Sequence, residues 1–171
     1  MSEKVQYCQK MSEESRQSIA ESIGEEKGFL VGRHTYAMDP KKRFTIPAGW
    51  RAILGNPRYV YVMPDKAKRC LTIIPKEEME SRLAKLREKA LFDPALSSAL
   101  RVIGANSEQL LLDVQGRIRI GDKLLQFANL TTTVAMVGAI RKIELWAPEA
   151  LPPDDKVDQV SFGEALEVAG F

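Results

Sequence analysis

The chain has 171 residues, of which 44% are hydrophobic and 28% charged, with a formal net charge of +2. This length suits one compact domain or two small intertwined ones, and the apolar fraction argues against a wholly disordered chain. The N-terminus lacks the apolar stretch of a secretory signal, and no apolar run reaches the roughly 18 residues that a membrane-spanning helix needs. We therefore expect a soluble, cytoplasmic protein with no membrane partner.

Two polar extensions frame the chain. Residues 1–28 carry four basic and six acidic side chains and few large apolar residues, which predicts a flexible polar arm. Residues 151–171 include Pro152 and Pro153 and carry one lysine against five acidic residues. This composition predicts a second, acidic and loosely held extension.

An internal repeat lies between the extensions. Residues 36–46 read YAMDPKKRFTI and residues 110–120 read LLLDVQGRIRI. An offset of 74 residues aligns the acidic and basic positions of the two copies, Asp39 with Asp113 and Arg43 with Arg117. A mixed polar and apolar stretch and two further strand-like segments follow each copy in the same order. We expect two copies of one β-rich unit, at residues 29–75 and 105–150.

Short strands and tight turns make up each predicted unit. Phe44 and Ile46 in the first copy alternate with polar residues, as do Ile118 and Ile120 in the second, which is typical of half-buried strands. The Asp-x-x-x-Arg segments before them favour turns, because Asp accepts hydrogen bonds from backbone N–H groups just downstream. We therefore interpret Asp39 and Asp113 as structural residues that hold the turn or brace its arginine. Further strands are predicted at residues 59–63, 71–75, 132–137 and 143–148.

A helical segment, residues 76–104, connects the two units. Met79, Leu83, Leu86 and Ala90 have the spacing of an amphipathic helix over residues 76–90. A second helix is predicted over residues 94–103, with Asp93 as its N-cap and Gly104 as its stop. We expect the pair to pack against the open faces of the two β units.

The combined pattern resembles the MraZ family. The resemblance is carried by Phe29-Leu-Val-Gly, by Asp39-Pro-Lys-Lys-Arg-Phe-Thr-Ile-Pro47, by Phe92-Asp-Pro-Ala, by Asp113-Val-Gln-Gly-Arg-Ile-Arg-Ile and by Ile143-Glu-Leu-Trp. It covers roughly residues 29 to 150. It implies an α+β, mainly β fold, in which two AbrB-like swapped-hairpin β-barrel halves stand in tandem with packed helices.

The same resemblance implies a function. MraZ proteins are cytoplasmic, nucleoid-associated transcriptional regulators that form rings of eight or twelve identical subunits. They bind short direct repeats of double-stranded DNA upstream of the division and cell-wall gene cluster. By this resemblance Arg43 is the first candidate for DNA contact, with Lys41 and Lys42 beside it and Arg117 as its counterpart. The motif's usual glycine is Gly116 in the second copy, and its closing proline is Pro47 in the first.

Charge distinguishes the two copies. Residues 33–69 hold nine basic and two acidic side chains, a net charge of +7, whereas residues 105–150 hold five of each. Clustered Lys and Arg bind the DNA backbone by releasing its counterions. We therefore expect the first copy to face DNA, with Arg33 as a further candidate contact.

Other function classes have less support. His34 is the sole histidine, and the sequence contains no hydrolase, zinc-protease or phosphate-loop motif, so we expect no enzyme and no cofactor. Cys8 and Cys70 lack the close spacing of metal ligands and are expected to be free thiols.

Two non-enzymatic alternatives remain open. Lys42 stands where the second copy has Gly116, Gly121 stands where the first has Pro47, and the second half is neutral. These features keep open an AbrB-like scaffold or interaction module without specific DNA binding. The antitoxin type of AbrB-like protein is a third hypothesis, although such proteins usually have a single copy of the unit.

Overall fold

The computed structural model describes residues 28–65, 67–151 and 159–170. In these parts of the chain, eight strands and five α-helices follow each other along the sequence. The strands are β1 (Arg33–Ala37), β2 (Arg43–Thr45), β3 (Tyr59–Asp65), β4 (Cys70–Ile74), β5 (Glu108–Leu111), β6 (Arg117–Arg119), β7 (Thr133–Ala139) and β8 (Lys142–Trp146). The helices are α1 (Ala48–Ile53), α2 (Lys76–Ala90), α3 (Pro94–Ala105), α4 (Asp122–Phe127) and α5 (Gln159–Ala169), with one 3₁₀ turn at Pro148–Ala150.

All strand pairs are antiparallel. Six strands form one sheet in the order β1-β7-β8-β4-β3-β5, and β2 pairs with β6 in a separate two-stranded ribbon. The fold is therefore α+β and mainly antiparallel β, which confirms the predicted class at this level.

The two sequence copies interleave in the sheet. The first strand of the first copy, β1, lies beside β7 of the second, while β5 of the second copy lies beside β3 of the first. The copies also meet at the centre, where β4 pairs with β8. Each copy thus supplies an edge strand to the other's half of the sheet.

The core fills the space between the sheet and the ribbon. Buried and partly buried residues alternate along β3, as expected of a strand, whereas the more central strands are buried on both faces: β4 buries all five of its residues, and β7 and β8 each bury three in a row. Phe44 and Ile118 close the core from the ribbon side and are 2% and 1% exposed. The largest fully buried side chains include Leu71, Ile73, Met136, Ile143 and Leu145.

Several predicted elements are confirmed with small changes in length. The strand predicted at residues 59–63 runs over Tyr59–Asp65, and the helix predicted at residues 76–90 is α2. Asp93 caps α3 as predicted, since its Oδ1 accepts hydrogen bonds from the N–H groups of Ala95 and Leu96. The predicted stop at Gly104 is wrong, because α3 continues to Ala105 and Asn106 forms the C-cap. The short helices α1 and α4 were not predicted.

The helix pair packs differently from the prediction. Helix α2 contacts β3 and α3, but α3 buries none of its residues, so the pair does not cover the open faces of the β units. Large apolar side chains remain exposed around the helix connection and along α3, at Leu91, Phe92, Val102 and Ile103. The helix pair therefore presents apolar surface that the described parts of the chain do not cover.

A buried carboxylate lies on the outer face of the central strands. Glu144 is 5% exposed and accepts hydrogen bonds from the ammonium groups of Lys68 at 2.9 Å and Lys142 at 3.1 Å. Burial alone would raise its pKa, but these two ammonium groups outweigh that effect and lower it. Cys70 is a buried free thiol whose pKa burial raises to about 11, so it stays protonated near neutral pH. Cys8 lies outside the described residues.

Most residues of the two predicted extensions, 1–28 and 151–171, lie outside the described residues. The tail contains α5, a helix that was not predicted from the sequence. None of the helices in the described parts of the chain combines the length and the hydrophobicity of a membrane-spanning segment.

Candidate nucleic-acid interface

The first Asp-x-x-x-Arg segment forms a tight turn between β1 and β2. Oδ1 of Asp39 accepts hydrogen bonds from the N–H groups of Lys41 and Arg43, both at 2.9 Å. Backbone hydrogen bonds close the same turn, from Lys42 N–H to the Asp39 carbonyl at 2.8 Å and from Asp39 N–H to the Arg43 carbonyl at 2.9 Å. A single aspartate therefore organises the turn that carries three consecutive basic residues.

The second turn repeats this geometry between β5 and β6. Oδ1 of Asp113 accepts hydrogen bonds from Gln115 N–H at 2.9 Å and from Arg117 N–H at 3.0 Å. Lys42 and Gly116 occupy the equivalent position with φ of 58° and 73°, in the left-handed region. The two turns thus share one backbone shape although one has lysine where the other has glycine.

Local packing explains why glycine stands in the second turn. Gly116 is buried, and a Cβ atom at this position would lie 2.5 Å from Cζ of Arg51, which is too close for any side chain. The Arg51 side chain is held in place within the first copy, because its Nε donates a hydrogen bond to the Ile46 carbonyl at 3.1 Å. In the first turn, by contrast, the Lys42 side chain extends to Asp122, and its Nζ lies 2.7 Å from Oδ1.

The residues that follow each ribbon strand are also equivalent. Pro47 precedes α1 with φ −49° and ψ 137°, and Gly121 precedes α4 with φ −67° and ψ 151°. Gly121 N–H donates a hydrogen bond to Glu108 Oε2 at 2.9 Å, which a proline could not do. The change from proline to glycine therefore preserves the backbone path.

The ribbon of β2 and β6 brings basic residues of both copies together. Its pairs are Arg43 with Arg119, Phe44 with Ile118 and Thr45 with Arg117. Because successive side chains alternate between faces, the buried Phe44 and Ile118 leave the other two pairs on the outer face. We call this surface, made of Arg43, Thr45, Arg117 and Arg119, the ribbon face.

Each turn arginine is held by its own aspartate. Nε of Arg43 and Nε of Arg117 each lie 2.7 Å from Oδ2 of Asp39 and Asp113, respectively. The side-chain hydrogen bond from Arg43 lowers the pKa of Asp39, and the backbone hydrogen bond from Arg117 is the largest contribution that lowers the pKa of Asp113. These pairs fix one edge of each guanidinium and leave its outer edge available to a further acceptor.

The remaining predicted residues lie at different distances from the ribbon face. Lys41 and Lys42 are exposed in the first turn, next to Arg43. Arg33 begins β1, whereas the turn follows the end of that strand, so a span of roughly 13 Å separates Arg33 from the strand's last residue. The structure therefore groups Lys41, Lys42 and Arg43, and it does not bring Arg33 to the same turn.

Arg119 is the arginine of the ribbon face that was not predicted as a contact. The sequence held a signal for it, because the alternation of Arg117, Ile118 and Arg119 puts both arginines on one face. Its position opposite Arg43 could not be predicted, since that depends on pairing between strands 74 residues apart along the chain.

His34 has a different environment. Its ring meets that of Trp50 edge-on, with centroids 4.9 Å apart, and the Trp50 indole donates to the Val31 carbonyl. Among the described residues, no group of three or more His, Cys, Asp or Glu side chains is arranged to hold a metal ion.

Comparison with known proteins identifies the family. A family model described as "MraZ protein, putative antitoxin-like" matches residues 103–150. "Transcriptional regulator MraZ" of Tropheryma whipplei is 30% identical over 139 residues, which cover 81% of this chain and 95% of that protein. The proteins of the same name from Syntrophobacter fumaroxidans and Clostridium tetani are 29% and 25% identical, over 82% and 84% of this chain and 94% and 100% of their own lengths. The chain therefore belongs to the MraZ family.

Proposed function

We propose that this protein is a sequence-specific DNA-binding transcriptional regulator of the MraZ type. Its target is double-stranded DNA with short direct repeats, upstream of the division and cell-wall gene cluster. The observation that carries the proposal is the ribbon face, where arginines of both copies point away from the core, with Lys41 and Lys42 exposed in the adjoining first turn. An exposed basic β ribbon presents guanidinium and ammonium groups to phosphates and to base edges.

We assign the DNA contacts to Arg43, Lys41, Lys42 and Arg117, with Arg33 as an outlying contributor. Asp39 and Asp113 stabilise the two turns. Gly116 allows the left-handed backbone conformation of the second turn, and Pro47 restricts the backbone between β2 and α1. In this arrangement Asp39 reduces the conformational freedom of the Arg43 side chain before DNA arrives, which lowers the entropy cost of binding. The same pairing neutralises part of the charge, so affinity has to come from several contacts together.

The proposed architecture is a tandem of two AbrB-like swapped-hairpin halves, residues 29–75 and 105–150, joined by residues 76–104. Its support is the interleaved sheet, in which β1 pairs with β7 and β5 with β3. The extensions, residues 1–28 and 151–171, stay outside these halves in the proposal.

The proposed assembly is a ring of identical subunits, and the proposed location is the cytoplasm and nucleoid. Leu91 and Phe92, at the connection between α2 and α3, are 78% and 89% exposed. Apolar side chains exposed as a group are typical of an interface with another molecule. A ring carrying one DNA-binding surface per subunit would bind repeated sites with high avidity, because each further contact is intramolecular.

A scaffold role is the second candidate, and one observation favours it. Arg43, Arg117 and Lys42 are each paired with an aspartate of the same chain. If these pairs have only a structural purpose, the ribbon face stabilises the fold and does not contact DNA.

A binding titration separates the two candidates. We expect the purified protein to bind a duplex from upstream of its own gene more tightly than a scrambled duplex, and to lose affinity steeply between about 50 and 200 mM salt. Fluorescence anisotropy at several salt concentrations measures both properties. Equal, weak affinity for the two duplexes would favour the scaffold.

The helix connection has its own expected result. Replacing both Leu91 and Phe92 with aspartate should convert the assembly into smaller species that remain folded, because buried carboxylates would be unpaired at the interface. Light scattering coupled to size exclusion measures the mass, and circular dichroism reports the fold. Val114→Asp is the matched control, since Val114 is fully exposed in the second turn. An unchanged mass in the double variant would contradict this role of the helix connection.

A further inference from the structure

We propose that Arg119, contributed by the second copy, is a DNA-contacting residue that completes the site formed by the first turn. The inference rests on the proposed function and assigns it a residue outside the Asp-x-x-x-Arg motifs. It makes the contact surface composite, with Lys41, Lys42 and Arg43 from one copy and Arg119 from the other.

The ladder of the ribbon places Arg119 directly opposite Arg43. Residues opposite each other in an antiparallel pair have Cα atoms about 4.5–5.5 Å apart and side chains on the same face. Arg119 is exposed, whereas its neighbour Ile118 is buried against the core. The two arginines therefore extend side by side from one end of the ribbon face.

The charge of Arg119 is the least compensated on this face. Asp39 holds Arg43, Asp113 holds Arg117, and Asp122 holds Lys42. In the described parts of the chain, the Arg119 guanidinium makes no hydrogen bond or ion pair, and the Asp122 carboxylate, whose pKa it helps to lower, is already bound to Lys42. A hydrated guanidinium can bind a phosphate or a guanine edge without first breaking an internal pair.

The two ends of the ribbon face differ. The position equivalent to Arg119 in the first copy is Thr45, which lies opposite Arg117. One end thus carries two adjacent arginines beside Lys41 and Lys42, while the other carries one arginine beside a threonine and Gly116. This asymmetry concentrates the positive charge at the first turn. Part of that charge comes from Arg119, although the second copy as a whole has no net charge.

A cleft of about 570 Å³ opens next to this end. Lys42 and Asp122 line it, together with the hydrogen-bonding side chains of Gln126, Asn129 and Thr131. Amide and hydroxyl side chains are common contacts of DNA phosphates. A duplex that contacts Lys42 and Arg43 would therefore lie close to further polar groups.

The test compares Arg119→Ala and Arg119→Lys with the wild-type protein on the upstream and scrambled duplexes. We expect the alanine variant to lose at least tenfold in affinity for the upstream duplex. The lysine variant distinguishes the contact. Wild-type affinity for the upstream duplex with an unchanged salt dependence indicates a phosphate, because lysine keeps the charge, whereas a loss on the upstream duplex that spares the scrambled duplex indicates a guanine edge. Arg101→Ala, which removes an exposed arginine from α3, is the control and should stay within twofold.

Each variant is also checked by size exclusion for its assembly and by circular dichroism for its fold, because DNA affinities can be compared only between proteins that assemble and fold alike. An alanine variant within twofold of wild type, in a protein that still loses affinity on Arg43→Ala, would overturn the role of Arg119 and leave the proposed function standing. Absence of specific binding by the wild-type protein itself would overturn both.

Discussion

Arg43→Ala is expected to lower the affinity for the upstream duplex by about 10- to 100-fold while leaving the assembly intact. The size follows from the loss of one bidentate contact, worth about 1–3 kcal/mol. Binding to scrambled DNA should fall less, since it depends on summed charge and not on one guanidinium. Anisotropy titrations on both duplexes at fixed salt measure the two effects.

Arg117→Ala is the matched comparison, because it removes the same group from the same turn geometry at the other end of the ribbon face. We expect a smaller loss there, since Lys41, Lys42 and Arg119 all lie at the end that carries Arg43. Wild-type affinity in the Arg43 variant at physiological salt would rule out the first turn as the specific contact. Equal losses in both variants would show that the two turns engage DNA alike.

The structural role of the turn aspartates could be predicted from the sequence. The Asp-x-x-x-Arg spacing favours a turn with the carboxylate on backbone N–H groups, and the structure has those hydrogen bonds at Asp39 and Asp113. Local patterns of this kind are predictable because the donor and the acceptor lie within four residues of each other. For the same reason, Asp93 could be recognised as the cap of α3.

Partners distant along the chain could not be predicted in this way. The alternation of apolar residues shows which face of β2 or β7 is buried, but it does not say which strand lies alongside. The pairing of Arg33 with Val137 joins residues of different copies, and so does that of Arg43 with Arg119. Arg119 was therefore missed as a candidate although its place in the alternation was visible.

The helix pair illustrates a second limit of the sequence. The apolar spacing of Met79, Leu83 and Leu86 correctly predicted a helix, but it did not specify what the apolar residues contact. An apolar stripe needs a partner surface, and that surface can belong to another molecule. The exposed Leu91 and Phe92 show that the apolar spacing of a helix pair does not by itself place the pair against the β units.

Phe44→Ala is expected to lower the free energy of unfolding by about 3–5 kcal/mol and to impair DNA binding with it. Phe44 is 2% exposed and lies opposite Ile118, so its ring fills the core at the centre of the ribbon. Truncation removes buried apolar surface and leaves a cavity beneath Arg43 and Arg119. The two arginines would then lose the rigid strand that holds them side by side.

Phe29→Ala is the control for this effect, because the same side chain is removed where it is 60% exposed. It should cost less than about 1 kcal/mol, since little of its surface leaves water on folding. Urea unfolding followed by circular dichroism, at one protein concentration for all variants, measures both changes. If Phe44→Ala proved as stable as Phe29→Ala, the ribbon would not be anchored through Phe44, and the rigid presentation of the ribbon face would have to come from the turns alone.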